Sequence, residues 1–285
     1  MTTSSPPQIF DRRVARKRRA RSSAAFPAHD FLHRRIMEDV VDRLETVNRD
    51  FPQALFAGAG DLTSMLTPAC GVGDVFHTDS AKGRLAGAVP SFVCEEEALP
   101  AAPQSLHLIV SILTLHGAND LVGALAQARA ALKPDGLFLA AVFGEETLRV
   151  LRNAFYRAET ELTGGVAPRF APLAVIQDFG QALSRAGFAL PVTDVDRVTV
   201  DYANPFSLLK DLRGMGETSA LKDRAPSLKR SVLARAMELF AEAGGRERFE
   251  IVYLTGWVPH ESQQKPLKPG SAKASLADAV RKNTG

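Results

Sequence analysis

Cysteine is scarce in this chain: Cys70 and Cys94 are the only two among 285 residues. Two thiols build no disulfide framework, and their surroundings have no metal-ligand spacing. Such usage fits a reducing compartment. Long apolar runs are missing as well. The best, Ser105 to Leu115, is about half of the roughly 20 residues that a membrane helix needs, and His107 interrupts it. Chemical signatures are also few. There is no G-x-S-x-G elbow, no zinc-finger spacing, and no interleaving of aromatic and basic residues of the kind that reads nucleic acid. His29 and His33 stand four apart but lack the Glu of a zinc-protease helix, so they are expected to form a surface pair, and no metal site is expected. What remains is 45% apolar and 24% charged, with 35 Lys plus Arg against 32 Asp plus Glu. That is the balance of a soluble globular protein, neither disordered nor coiled-coil, with length for one large domain or two modest ones.

Charge is unevenly placed. Between Asp11 and Ala25 lie Arg12, Arg13, Arg16, Lys17, Arg18, Arg19 and Arg21 against one acid, and the far end carries Lys265, Lys268, Lys273, Arg281 and Lys282 against Asp278. The first cluster reads as a transit peptide, as an arm for polyanions, or as the solvated face of a first helix. The last is favoured, because no turn signal separates the cluster from Asp30 to Leu44, where Phe31, Ile36, Val40 and Leu44 fall on one stripe. Three parts are expected: a basic helical segment over 1–50, an α/β domain over 51–262, and a basic, disordered tail over 263–285.

From Phe51 short apolar runs alternate with helical stretches. Strands are predicted at Gln53–Ala57, Asp74–Thr78, Val89–Cys94, Leu106–Leu113 and Leu137–Phe143, with a helix at Asp120–Leu132 and a turn at Lys133–Gly136. That alternation specifies a mostly parallel sheet with helices on both faces. The second half gives helices at Glu145–Glu161 and Leu173–Ala186 and a strand at Ala189–Asp201. A helical insertion over about 202–246 and a final strand at Arg248–Val258 follow.

The chemistry gathers at the strand ends. A strand running into Gly58-Ala59-Gly60 brings backbone close to a ligand, because glycine has no Cβ in the way and a following helix offers free N–H groups. Asp79 follows Gly60 by 19 residues, at the tip of the next strand, a spacing at which a carboxylate takes ribose hydroxyls. Glu95 and Glu96 end the third strand, where an adenine amino group would meet them. Together they outline one edge of a nucleoside pocket. A dinucleotide would need a third glycine where Thr63 stands, so S-adenosylmethionine, a nucleoside without phosphates, is the expected cofactor. The plain alternative is a tight strand-to-helix turn with Asp79 capping the next helix. His77 is read as packing. His116, after the fourth strand, is the one candidate for a catalytic base, with a capping or packing role as its alternative.

Phe10-Asp11-Arg12, Phe51-Pro52, Gly58-Ala59-Gly60 and Asp79 together resemble the class I S-adenosylmethionine methyltransferase fold, a Rossmann-like sheet of seven strands. Glu95–Pro100, Leu115–Leu121, Leu132–Gly136, Phe143–Leu148, Ala158–Glu161, Asp211–Glu217 and Gly256–Gln263 extend the match over nearly the whole chain. Those segments resemble the respiratory complex I assembly factors described as protein-arginine hydroxylases, relatives of the malonyl-carrier-protein methyltransferases. The resemblance implies an S-adenosylmethionine site at Gly58, Ala59, Gly60, Asp79, Glu95, Glu96 and Ser111, with a complex I subunit as protein partner. It implies neither nucleic acid nor a membrane span, though the basic N-terminus could associate peripherally with other surfaces. With nine residues before Phe10, a bacterial cytoplasmic protein is expected. The chain departs from the family pattern where Phe56 replaces an acid and Leu62 a glycine, so the pocket is expected to be partly degenerate; Leu106-His107 and Gly117 depart as well. Three functions follow: a modifying enzyme, by methyl transfer or arginine hydroxylation; a noncatalytic assembly factor; or a methyltransferase for a carrier-bound or other small acid. Hydroxylation requires activated oxygen, and no 2-His-1-carboxylate triad is visible.

Overall fold

Burial on both faces is the rule for a parallel sheet, and it explains the run Leu108-Ile109-Val110-Ser111-Ile112, every member of which is buried. In a computed structural model, which describes residues 8–263 apart from 86, 88 and 224, that run is the centre of a seven-stranded sheet. Strands β1 (Phe51–Ala57), β2 (Val72–Asp79), β3 (Ser91–Val93), β4 (Leu106–Ile112) and β5 (Leu132–Phe143) are parallel. Strand β6 (Ala189–Asp201) forms the far edge. Strand β7 (Arg246–Trp257) runs antiparallel between β5 and β6, giving the order β3-β2-β1-β4-β5-β7-β6. The order reverses beside β1, so the crevice at its carboxyl end is where such a sheet takes a ligand.

Helices cover both faces. On one lie α2 (Phe31–Thr46), α4 (Arg149–Thr163) and α7 (Arg230–Glu242), packed on Phe51, Phe56, Val110 and Phe249. On the other lie α3 (Leu121–Ala131) and α5 (Ile176–Arg185), packed on Leu55, Ile109, Phe138 and Leu254. Between β6 and α7 comes α6 (Pro205–Met215), which ends in Gly216 at φ +87°. A Cβ on Gly216 would stand 2.9 Å from Ser22 Oγ and 3.3 Å from Arg19 Cα, so glycine serves both the left-handed turn and a close helix approach.

That approaching helix is α1 (Arg12–Ser22), started by Asp11, whose carboxylate accepts from Val14 N at 3.0 Å. Its entry is sewn down: Phe10 bridges Leu221 and exchanges hydrogen bonds with the Asn119 side chain, and Asp11 N donates to Ala220 O. The basic segment departs from expectation in two ways. The basic cluster does not continue into α2, because the chain breaks at Ser23 and makes a 3₁₀ turn at Phe26–Ala28 around Pro27. Nor is the cluster all solvated, since Arg19 is buried. Lys133–Gly136 likewise is no separate turn. It bulges within β5, with Asp135 at φ +63° and the register slipping between Leu106 and Leu108. The tail over 264–285 lies outside the described residues.

Candidate active site

The turn after β1 is set by close packing. Gly58 adopts φ +77° and donates to Thr78 O at 2.9 Å; a Cβ there would strike the Ile112 carbonyl and lie 2.6 Å from the Thr114 methyl. Gly60 is also left-handed, and Ala59 between them is fully buried. Phe56 and Leu62 belong to the core on the α2 side, with Phe56 fully enclosed. Ser111 Oγ shares a hydrogen bond with Thr114 Oγ1 at 2.7 Å.

Asp79 ends β2 at the crevice, but its carboxylate is taken. Arg19 Nε donates to both oxygens, at 2.8 and 2.9 Å, and Nη2 makes a further ion pair at 2.8 Å. Ala81 N donates to the same carboxylate at 2.8 Å. Two turns earlier on α1, Arg12 reaches the acids after β3. It donates to Glu95 at 2.7 and 3.1 Å, to Glu96, and to Gly117 O at 2.7 Å. Residues 12 and 19 lie seven apart, which puts both guanidinium groups on one face of the helix. The acids that a nucleoside would use are therefore occupied by α1. Burial on its own would lower the Arg19 pKa; the charge and hydrogen bonds of Asp79, with Glu217, reverse that and raise it.

His116 stands across the crevice on the loop after β4. Its Nε2 lies 3.0 Å from Glu217 Oε2, and its ring tilts against Phe143 at 4.9 Å. Glu217 follows the left-handed Gly216 and also lies 3.7 Å from Arg19 Nη1. Burial pushes the Glu217 pKa up, but His116 and the two arginines Arg19 and Arg84 bring it below the usual range. Below this pair opens a cavity of about 430 Å³, walled largely by Phe143, Phe155, Phe170, Leu151 and Leu212. Its walls suit an apolar group, and the His116–Glu217 dyad could hold a proton at its rim.

Arg12, Arg19 and Glu217 were not among the expected site residues. For Glu217 and Arg12 a signal existed, since they end the Asp211–Glu217 and Phe10-Asp11-Arg12 segments of the resemblance; for Arg19 the only signal was its spacing of seven from Arg12. The two histidines of the expected surface pair separate: His29 Nδ1 meets Asp211 at 2.7 Å, whereas His33 is fully buried. His77 is buried too, with Nε2 2.8 Å from Thr63 Oγ1. Among the described residues no three His, Cys, Asp or Glu gather as a metal site.

An S-adenosylmethionine site of the expected kind would use Asp79 for the ribose and need room for the purine. With α1 in place the Asp79 carboxylate is held by Arg19; the crevice bounded by Ala57, Asp79, Ser111 and Leu125 measures about 50 Å³, and the 430 Å³ cavity shares Glu96 and Thr114 with it. Helix α1 thus supplies the partner of the carboxylate expected to hold the ribose.

No family model matches the chain. Among curated proteins, arginine-hydroxylase NDUFAF5, mitochondrial, of Danio rerio is 36% identical over 286 residues, covering 95% of this chain and 89% of that protein. The chain belongs to the NDUFAF5 arginine-hydroxylase family. More distant is the malonyl-[acyl-carrier protein] O-methyltransferase of Methylovorus sp., 27% identical over 88% of this chain and 90% of the other. Among solved structures, phosphoethanolamine N-methyltransferase 2 of Haemonchus contortus, in complex with S-adenosylhomocysteine, superposes with a TM-score of 0.52 at 14% identity. It covers 89% of this chain and 61% of that one. The fold of this NDUFAF5-family chain is thus that of the class I methyltransferases, as the resemblance implied. The expectation of a bacterial cytoplasmic protein is overturned, because the family members matched over nearly the whole chain are mitochondrial proteins of zebrafish, rat and human. That expectation rested on the few residues ahead of Phe10, which say nothing about compartment.

Proposed function

We propose that this chain serves the assembly of respiratory complex I by binding a protein subunit of that complex, with α1 and not S-adenosylmethionine in its nucleoside crevice. Kinship with the NDUFAF5 family and the resemblance to complex I assembly factors support this choice of client. The observation that supports the cofactor-free reading is the buried Arg19–Asp79 pair, in which α1 takes the carboxylate that a ribose would use. The cavity beside His116 and Glu217 would then receive an apolar group of the client. Titration of the purified chain with S-adenosylmethionine and S-adenosylhomocysteine tests this. No heat and no thermal shift at millimolar ligand are expected, and the co-expressed subunit should keep its unmodified mass.

A second reading, an S-adenosylmethionine-dependent enzyme, is favoured by the left-handed Gly58 and Gly60 turn and by Asp79 at the strand tip. It requires α1 to swing away. Micromolar cofactor binding together with a gain of one oxygen or one methylene in the subunit's mass would establish it and overturn the first. Methylation of an acyl carrier protein with the subunit untouched would favour the small-acid enzyme instead.

A further inference from the structure

Helix α1 is basic on more than one face, and among the described residues Arg12, Arg16 and Arg19 reach the acids at the ends of β2 and β3. Arg12 and Arg19 turn inward. Arg13, Lys17 and Arg21, spaced four apart, form an outward stripe; all three are exposed, and none has a carboxylate partner among the described residues. Like charges at that spacing repel one another along a helix, and arginine at a helix N-terminus opposes the helix dipole. Facing the end of this stripe, α6 presents Lys210 and Arg213, again exposed and without an acidic partner among the described residues. Between the helices runs a groove of about 640 Å³, with Arg18 and Arg21 on one wall, Lys210 and Arg213 on the other, and Ser22 and Gly214 among its floor residues. The acid nearest to it in sequence, Asp211, is held by His29 Nδ1 at 2.7 Å.

We propose that the groove between α1 and α6 binds an acidic peptide segment of a partner protein. Cations on two facing walls suit a chain-like anion lying between them, whose carboxylates reach both sides. A bilayer is flat and would touch only the rims. Single-stranded nucleic acid would want aromatic platforms, and no Phe, Tyr or Trp lines the groove. The proposal is independent of whether the nucleoside crevice is used, since none of its carboxylates takes part.

The test is fluorescence anisotropy of the full chain with a labelled peptide of alternating glutamate and alanine, beside its glutamine counterpart. Binding of the glutamate peptide is expected at low salt, weakening about tenfold or more as salt rises to physiological strength, with the glutamine peptide not bound. Arg21→Glu and Arg213→Glu, one on each wall, should each weaken binding about fivefold, whereas Arg185→Glu on α5 should change it less than about twofold. Equal binding of the glutamine peptide, or an equal loss with Arg185→Glu, would overturn the proposal. So would binding of phosphatidylserine vesicles or an oligonucleotide by a chain that ignores the glutamate peptide.

Discussion

Arg19 and Asp79 are both nearly inaccessible, at 8% and 4% of their free exposure, and each charge depends on the other for its place. Removing water from a lone ion costs several kcal/mol, so truncating one partner is worse than losing the attraction between them. Arg19→Ala should destabilise the fold by about 3 kcal/mol in urea denaturation. Arg19→Leu combined with Asp79→Leu should cost much less than the two single changes added; strict additivity would show that the residues do not interact. His33 poses the reverse case. It is fully buried, its ring meets Phe26 edge-on at 4.7 Å, and neither nitrogen finds a partner among the described residues. Burial, then the charges of Arg19, Arg84 and His116, hold its pKa well below the ordinary 6.5. Above that pH both folded and unfolded chains keep His33 neutral. Below it the unfolded chain takes a proton that the folded one refuses, so stability falls with pH. His33→Leu should therefore gain about 1 kcal/mol at neutral pH, by removing unsatisfied polar atoms, and should flatten the decline between pH 6.5 and 5 seen in thermal melts. Phe56→Asp, which restores the acid of the family pattern, should unfold the chain, costing more than about 4 kcal/mol, because the new carboxylate would lie inside the core. A folded Phe56→Asp variant with unchanged stability would contradict that placement.

At the scale of elements, α1 is held by ends and middle together: the Phe10–Leu221 bridge before it, Arg12 on Glu95 and Glu96, Arg19 on Asp79, and Ser22 accepting from Arg84 at 2.9 Å. Arg12 keeps more contact with water than Arg19, so Arg12→Ala should cost only about 1 kcal/mol. Hydrogen exchange of the α1 amides should rise selectively in that variant; unchanged protection would mean that the bridge and Arg19 suffice. Most elements were legible in the residues. Ala189–Asp201 was read with its observed bounds, and the doubly buried β4 announced itself by lacking polar alternation. The inner face of α1 was not legible. Arginine at 12 and 19 looks no different from arginine at 13 and 21 until the sheet brings Glu95 and Asp79 to the same rim from elsewhere in the chain. Phe56 is legible only in part: a missing acid is visible in sequence, whereas the packed core that encloses the ring is not. Lys133-Pro134-Asp135-Gly136 has the composition of a turn, yet pairing on both sides draws it into β5 as a bulge.

For the molecule as a whole, kinship and geometry answer different questions. Likeness over nearly the full length shows which family the chain comes from, and the superposition shows the methyltransferase sheet. Neither says what occupies the crevice, which here depends on the first helix. Seven Lys and Arg stand in residues 11–22 against Asp11 alone, in a protein whose net charge is +3. A fragment starting after Ser22 would carry a net charge of the opposite sign. It would also strip Asp79, Glu95 and Glu96 of the α1 arginines that pair with them and leave Glu217 to His116. A shortened preparation would therefore be retained at neutral pH by an anion exchanger that the basic intact chain passes through.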